Sequence, residues 1–261
     1  MELKTSVIGI FLYAVMFCYV LAYALRLSKK VKLSDMLFMV GFIINFSAVI
    51  YRWIWVAHLP MQTIFEIFLC LTALVYPLSV FTQKYLAIDS VLLDIFIAIL
   101  LIFPAGFVFS AQPRLLPPAL QSALFGPHVA AYMLSYVLMF KAAAISAAAI
   151  MPSRSAARVK AEADSYTMVC LGFPLLTLGL LLGCFWAKVA WGRFWGWDPK
   201  ELWSLVSWLA FVVYLHFRYR FGTKYVLINH WLVIIGMVFI VLTLVWVNLS
   251  RVFTGLHNYA G

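Results

Sequence analysis

The sequence predicts an all-α integral membrane protein of about eight transmembrane helices, with the N- and C-termini on the outer side. Three observations carry that expectation. Of the 261 residues, 66% are hydrophobic and 11% charged, where a soluble domain carries roughly 25% charged residues. Apolar runs of the roughly 20 residues that span a hydrocarbon core recur along nearly the whole chain, leaving no stretch for a separate aqueous domain. Lys and Arg collect in alternate connecting segments, as the retention of basic loops in the cytoplasm demands.

The spans fall at about 6–25, 35–52, 63–82, 90–109, 128–151, 167–187, 202–218 and 229–249. The first is long for a signal h-region and lacks a small-residue cleavage site, so it reads as a helix of the mature protein. Segments after spans 1, 3, 5 and 7 hold eleven basic residues, among them Arg26, Lys84, Arg158 and Arg218. The opposite side holds seven: Lys4, Arg52, Arg114, Lys188, Arg193, Lys200 and Arg251. The formal charge of +10 is thus spread through short loops and forms no stripe for nucleic acid. Cys18, Cys70, Cys170 and Cys184 stand in apolar runs with no CxxC pair and read as buried packing residues. Lys141 and Glu66 fall in or near spans, where an ionisable group faces a cavity or a partner. The chain, 1–261, reads as a single polytopic domain.

The outer segments are chemically unusual. Segment 52–63 mixes tryptophans with His58 and Pro60 and fits an amphipathic piece in the interface or an aromatic belt, while 110–127 carries Pro113, Pro117 and Pro118. A tryptophan-rich loop follows at about 189–203, with WGRFWGWD at its centre. Within it Asp198-Pro199-Lys200-Glu201 reads as a helix start, with Asp at the N-cap, Pro in the first turn and Glu reaching back. Trp191, Trp195 and Trp197 concentrate flat π surface beside two glycines, which suits a large planar apolar ligand. Interfacial anchoring accounts for the same tryptophans.

His128 opens span 5 and His257 lies beyond span 8, both at the level of that loop. Imidazoles from different helices can ligate haem iron from opposite faces. His216 stands 18 residues after Asp198, roughly 27 Å along a helix, and so cannot share a haem with those two. It belongs to a second, inner site or snorkels at the interface. His58 and His230 read as non-ligands, and some of the outer cations can pair with haem propionates.

These residues carry a resemblance. The pattern WGxxWxWDPKExWSLxxWLxxxxYLHxR at 191–218, the GPHV around His128 and the terminal GLHNYAG around His257 resemble the CcsA (ResC) family of system II cytochrome c biogenesis proteins. The tail has Asn258 where that pattern leads one to expect Ser. The resemblance implies a haem handler that exports haem b and, with a CcsB (ResB) partner, acts as a subunit of the holocytochrome c synthase, or haem lyase. It implies that the tryptophan-rich loop, called the WWD domain, cradles haem through Trp191, Trp195, Trp197 and Asp198. His128 and His257 would be its axial ligands, and His216 would serve an inner haem with a histidine of the partner. The implied protein substrate is an apocytochrome c with a CxxCH motif, and the implied location is the bacterial plasma membrane, with haem presented on the outer face. System I haem handlers of the CcmC and CcmF type share a related loop, but the DPKExWSL continuation and the GLHxY tail favour the CcsA type. A b-type cytochrome subunit and a transporter for a small solute are the other classes considered. The first places paired histidines within its helices, and the second leaves the histidines and tryptophans unexplained.

Overall fold

A computed structural model describes Lys4 and residues 6–151 and 155–247; His257 and Arg251 lie outside the described residues. The described chain is all helix apart from loops, as an apolar chain requires when lipid offers its backbone no hydrogen-bond partner. It divides into two compact units, 1–117 and 118–261.

The first unit holds α1 (Val7–Leu27), α2 (Val31–Val56), α3 (Ile64–Leu86) and α4 (Val91–Phe107). α1 packs on α2 and α4, and α3 closes the bundle between the same two. Segment 52–63 is no separate amphipathic piece: Arg52 belongs to the end of α2, which stops at Ala57 in the left-handed conformation. α3 then starts from a reciprocal cap, in which Glu66 accepts the amides of Gln62 and Thr63 while the Thr63 hydroxyl accepts the amide of Glu66. Arg52 and Glu66 form a wholly buried ion pair at 2.9 Å, and Arg52 also donates to the carbonyls of Ala111 and Gln112. Arg52 is therefore a structural cation, committed within its own unit.

The second unit holds α5 (Phe125–Ile150), α6 (Ser155–Trp191), α7 (Pro199–Phe221) and α8 (Val226–Val241), preceded by a 3₁₀ turn at Pro118–Leu120. α8 opens into a π-helical turn, Leu242–Trp246, where the Thr243 hydroxyl meets Ser207 of α7 at 3.1 Å. Among the described residues, six of the eight α-helices are long and apolar enough to cross a membrane. α4 is apolar but shorter, and α7 carries charges at both ends. Large apolar side chains such as Phe17, Ile43, Leu181, Val213 and Val238 face outward, the distribution of a bundle whose solvent is lipid.

α6 departs most from the sequence expectation. Its 37 residues make a rod of roughly 56 Å, well beyond the ~30 Å core. The polar stretch around Arg158, Lys160 and Glu162 is thus a helical extension and not a loop, and Trp191 is its last residue. The helix-free part of the tryptophan-rich segment shrinks to 192–198. Of the cysteines, all free, only Cys18 and Cys70 are buried; Cys184 is half-buried and Cys170 faces outward.

Candidate functional site around His128 and the tryptophan loop

α5 and α6 are the most closely packed pair in the second unit, and His128 lies in their interface, in the first turn of α5. Its Nδ1 lies 2.8 Å from the carbonyl oxygen of Gly179. A carbonyl only accepts, so Nδ1 carries the proton and, in the neutral ring, Nε2 carries the lone pair. The imidazole stacks on Trp186, with centroids 5.9 Å apart and planes 16° apart. Trp186 in turn meets Trp191 edge to face at 4.8 Å. One run of ring contacts thus joins the histidine to the start of the tryptophan loop.

That loop is shaped by the helix after it. Asp198 caps α7 and Glu201 reaches back, as the local sequence predicts. Glu201 does more than a cap needs, accepting the amides of both Gly196 and Asp198 and so folding the loop over the helix start. Between those two amides Trp197 is held at φ 57°, a left-handed conformation costly for a bulky residue, and the residue is 69% exposed. Trp195 meets it edge to face at 6.0 Å, and the buried indole Nε1 of Trp195 has no partner. Arg193 lies against Gly196, where a Cβ would come within 2.8 Å of its Nε. Lys188 donates to the Gly192 carbonyl and sits over the Phe194 ring. Lys200, ahead of the apolar stretch of α7, is pushed down to about 8 by burial, with the Asp198 carboxylate partly opposing.

His216 and His230, in the same unit, lie away from this site. Arg218 near the end of α7 bonds Glu162 near the start of α6, so these helices are antiparallel and His216 sits at the opposite end of the unit from Asp198. His216 is exposed and donates Nδ1–H to the Val212 carbonyl. His230 is buried near the start of α8, between Ser146 and the Arg158 carbonyl. His58 is held by the carbonyls of Leu59 and Arg114. Trp186, Gly179 and Gly183 escaped the sequence reading, although G-x-x-x-G spacing followed by a tryptophan marks them in retrospect.

Among the described residues no three His, Cys, Asp or Glu side chains gather as a bare metal ion needs. A single imidazole beside an aromatic wall, as at His128, instead suits iron whose other positions a porphyrin fills. A family model described as cytochrome C assembly protein matches residues 61–257. The chain belongs to the cytochrome c assembly protein family. Membership places it in cytochrome c maturation, as a multi-pass membrane protein. Relatives named cytochrome c biogenesis protein CcsA include one from Chlamydomonas reinhardtii, 30% identical over 80% of this chain and 63% of its own length. One from Microcystis aeruginosa is 37% identical over 43% of this chain and 33% of its own length, and one from Cuscuta exaltata is 26% identical over 80% and 79%. The chain thus spans under two thirds of the algal relative and about a third of the cyanobacterial one. The CcsA resemblance read from the tryptophan and histidine motifs is borne out.

Proposed function

We propose that the chain takes up haem b at an inner site near His216, passes it outward, and presents it between His128 and His257, beneath the tryptophan-rich loop, for covalent attachment to apocytochrome c. The observation that carries this reading is the unbroken ring contact from His128 through Trp186 to Trp191, which joins an iron-ligating group to a flat aromatic wall. The Nε2 lone pair left by the Gly179 bond is the form of imidazole that binds iron. The exposed, backbone-strained Trp197 supports it too, because such strain collects where a ligand is gripped.

In this reading Trp191, Trp195 and Trp197 hold the porphyrin plane and Asp198 holds the loop. The two thiols of the substrate's CxxCH motif add across the two haem vinyl groups: each sulfur bonds one vinyl carbon and its hydrogen goes to the other. The substrate's own histidine then takes one axial position. The chain supplies orientation, a sufficient source of rate. His216, exposed on α7 with Nε2 as its acceptor nitrogen, suits a site completed by a CcsB (ResB)-type partner, with which the chain forms a cytochrome c synthase of a bacterial plasma membrane.

The test is the absorption spectrum of the protein purified with that partner, for the wild type and for the His128→Gly/His257→Gly double variant, with and without imidazole. Loss of the haem spectrum that imidazole restores is the expected result. An unchanged spectrum in the double variant sinks the outer site, and a wild type without haem sinks the whole reading.

A further inference from the structure

His128 sits in a socket built by two glycines, a tyrosine and a tryptophan. Gly179 and Gly183 are one helical turn apart on α6, and His128 and Tyr132 one turn apart on α5. The glycines open a groove and the two rings fill it. A Cβ on Gly183 would stand 2.6 Å from Cε1 and 3.0 Å from Nδ1 of His128, and one on Gly179 would stand 2.9 Å from the Tyr132 ring. Tyr132 closes one side of the imidazole edge to face at 5.1 Å. Trp186 stacks on it and is itself fixed, donating Nε1–H to the Ala119 carbonyl at 2.9 Å.

We infer that Gly183 and Trp186 are positioning residues that set the ring orientation and the Nδ1–H tautomer of His128 before any haem arrives, with the Gly179 carbonyl as the acceptor that defines both. The inference rests on reading His128 as an axial ligand only for its consequence, not for its geometry. Nδ1–H is the minor tautomer of neutral histidine in water, so the protein selects it. A carbonyl bonded to the far nitrogen of a ligating imidazole makes that imidazole a stronger donor to iron and weakens metal binding about 10- to 100-fold when lost. The acceptor is backbone, so no side-chain deletion removes it. A methyl at Gly183 does, by displacing the ring.

The experiment is ¹⁵N NMR of the haem-free full chain, labelled at histidine and held in lipid nanodiscs at pH 8, with the His128 signals assigned by their disappearance in His128→Gln. The wild type should show a protonated Nδ1 and an unprotonated Nε2. Gly183→Ala should lose that pattern and revert to the Nε2–H form. Trp186→Leu should lose it too, while Trp186→Phe, which keeps a flat ring, should retain it. Should Gly183→Ala not fold, the Leu and Phe pair decides. A wild-type His128 protonated at Nε2, or an Nδ1–H pattern untouched in both Gly183→Ala and Trp186→Leu, overturns the inference. Reconstituted with the partner and haem, Gly183→Ala should bind haem roughly 10- to 100-fold more weakly and raise the iron's midpoint potential. If His128→Gly keeps the wild-type haem spectrum, the ligand reading fails while the tautomer result stands. If that spectrum is lost but the tautomer never responds to Gly183 or Trp186, this inference fails alone.

Discussion

Asp198 has the structural role that its local sequence predicts. It is buried, it caps α7, and its neighbour Glu201 holds two loop amides. Asn caps a helix as well as Asp does, and Ala forfeits about 1 kcal/mol. Asp198→Asn should therefore retain haem at the wild-type level while Asp198→Ala weakens it, read from the Soret band after detergent extraction. Equal loss in both variants would mean that the carboxylate itself meets the haem. Lys200 makes a pH prediction. Burial lowers its pKa to about 8 from 10.5, so the charged form is disfavoured in the folded chain. Stability should be lowest below about pH 8 and grow as pH rises from there towards 10.5, and Lys200→Met should flatten that rise in thermal unfolding of the haem-free protein. The cap was legible in the sequence because its partners lie within three residues. The tautomer of His128 was not, because its acceptor lies 51 residues away.

At the scale of elements, several charged groups fasten helices to one another. Glu162 on α6 accepts from Arg218 on α7 and from Asn229 on α8, and Arg218 lies 4.8 Å over the Tyr166 ring. The cluster clamps three helices at the end of the unit that bears His216. Removing one member of a buried pair strands the other, typically at a cost of roughly 3–5 kcal/mol, whereas replacing both by apolar residues of similar size costs far less. Arg218→Met should thus lower the unfolding midpoint markedly, and the double variant Glu162→Leu/Arg218→Met should recover much of it. A double variant no more stable than the single one would show that the pair contributes something beyond mutual compensation. Arg52 and Glu66 do the same work for α2 and α3 in the first unit. Sequence placed Arg52 among the outer cations open to a haem propionate and Arg218 in a basic segment on the opposite side, and neither placement names a carboxylate from another helix.

For the whole molecule, the eight described α-helices and the alternation of basic loops set a topology that labelling can check. In a cysteine-free background, Gly192→Cys should react with a membrane-impermeant maleimide added to intact cells, and Lys224→Cys only after permeabilisation. The reverse pattern would invert the protein in the membrane and move the tryptophan loop inside. The family match at 61–257 begins just ahead of α3 and takes in the described second unit, where His128, His216 and the tryptophan loop all reside. What the sequence determined by itself is the class, the helices and the family. Hydropathy, caps and motifs act over a few residues, and lipid forces each helix to satisfy its own backbone. Only the tertiary structure decided that α6 runs on to Trp191, that two glycines make room for His128, that Trp186 links it to the loop, and that Arg52 is committed to Glu66. Each of those depends on which side chains of distant segments meet across a helix interface, and a linear pattern does not encode that meeting.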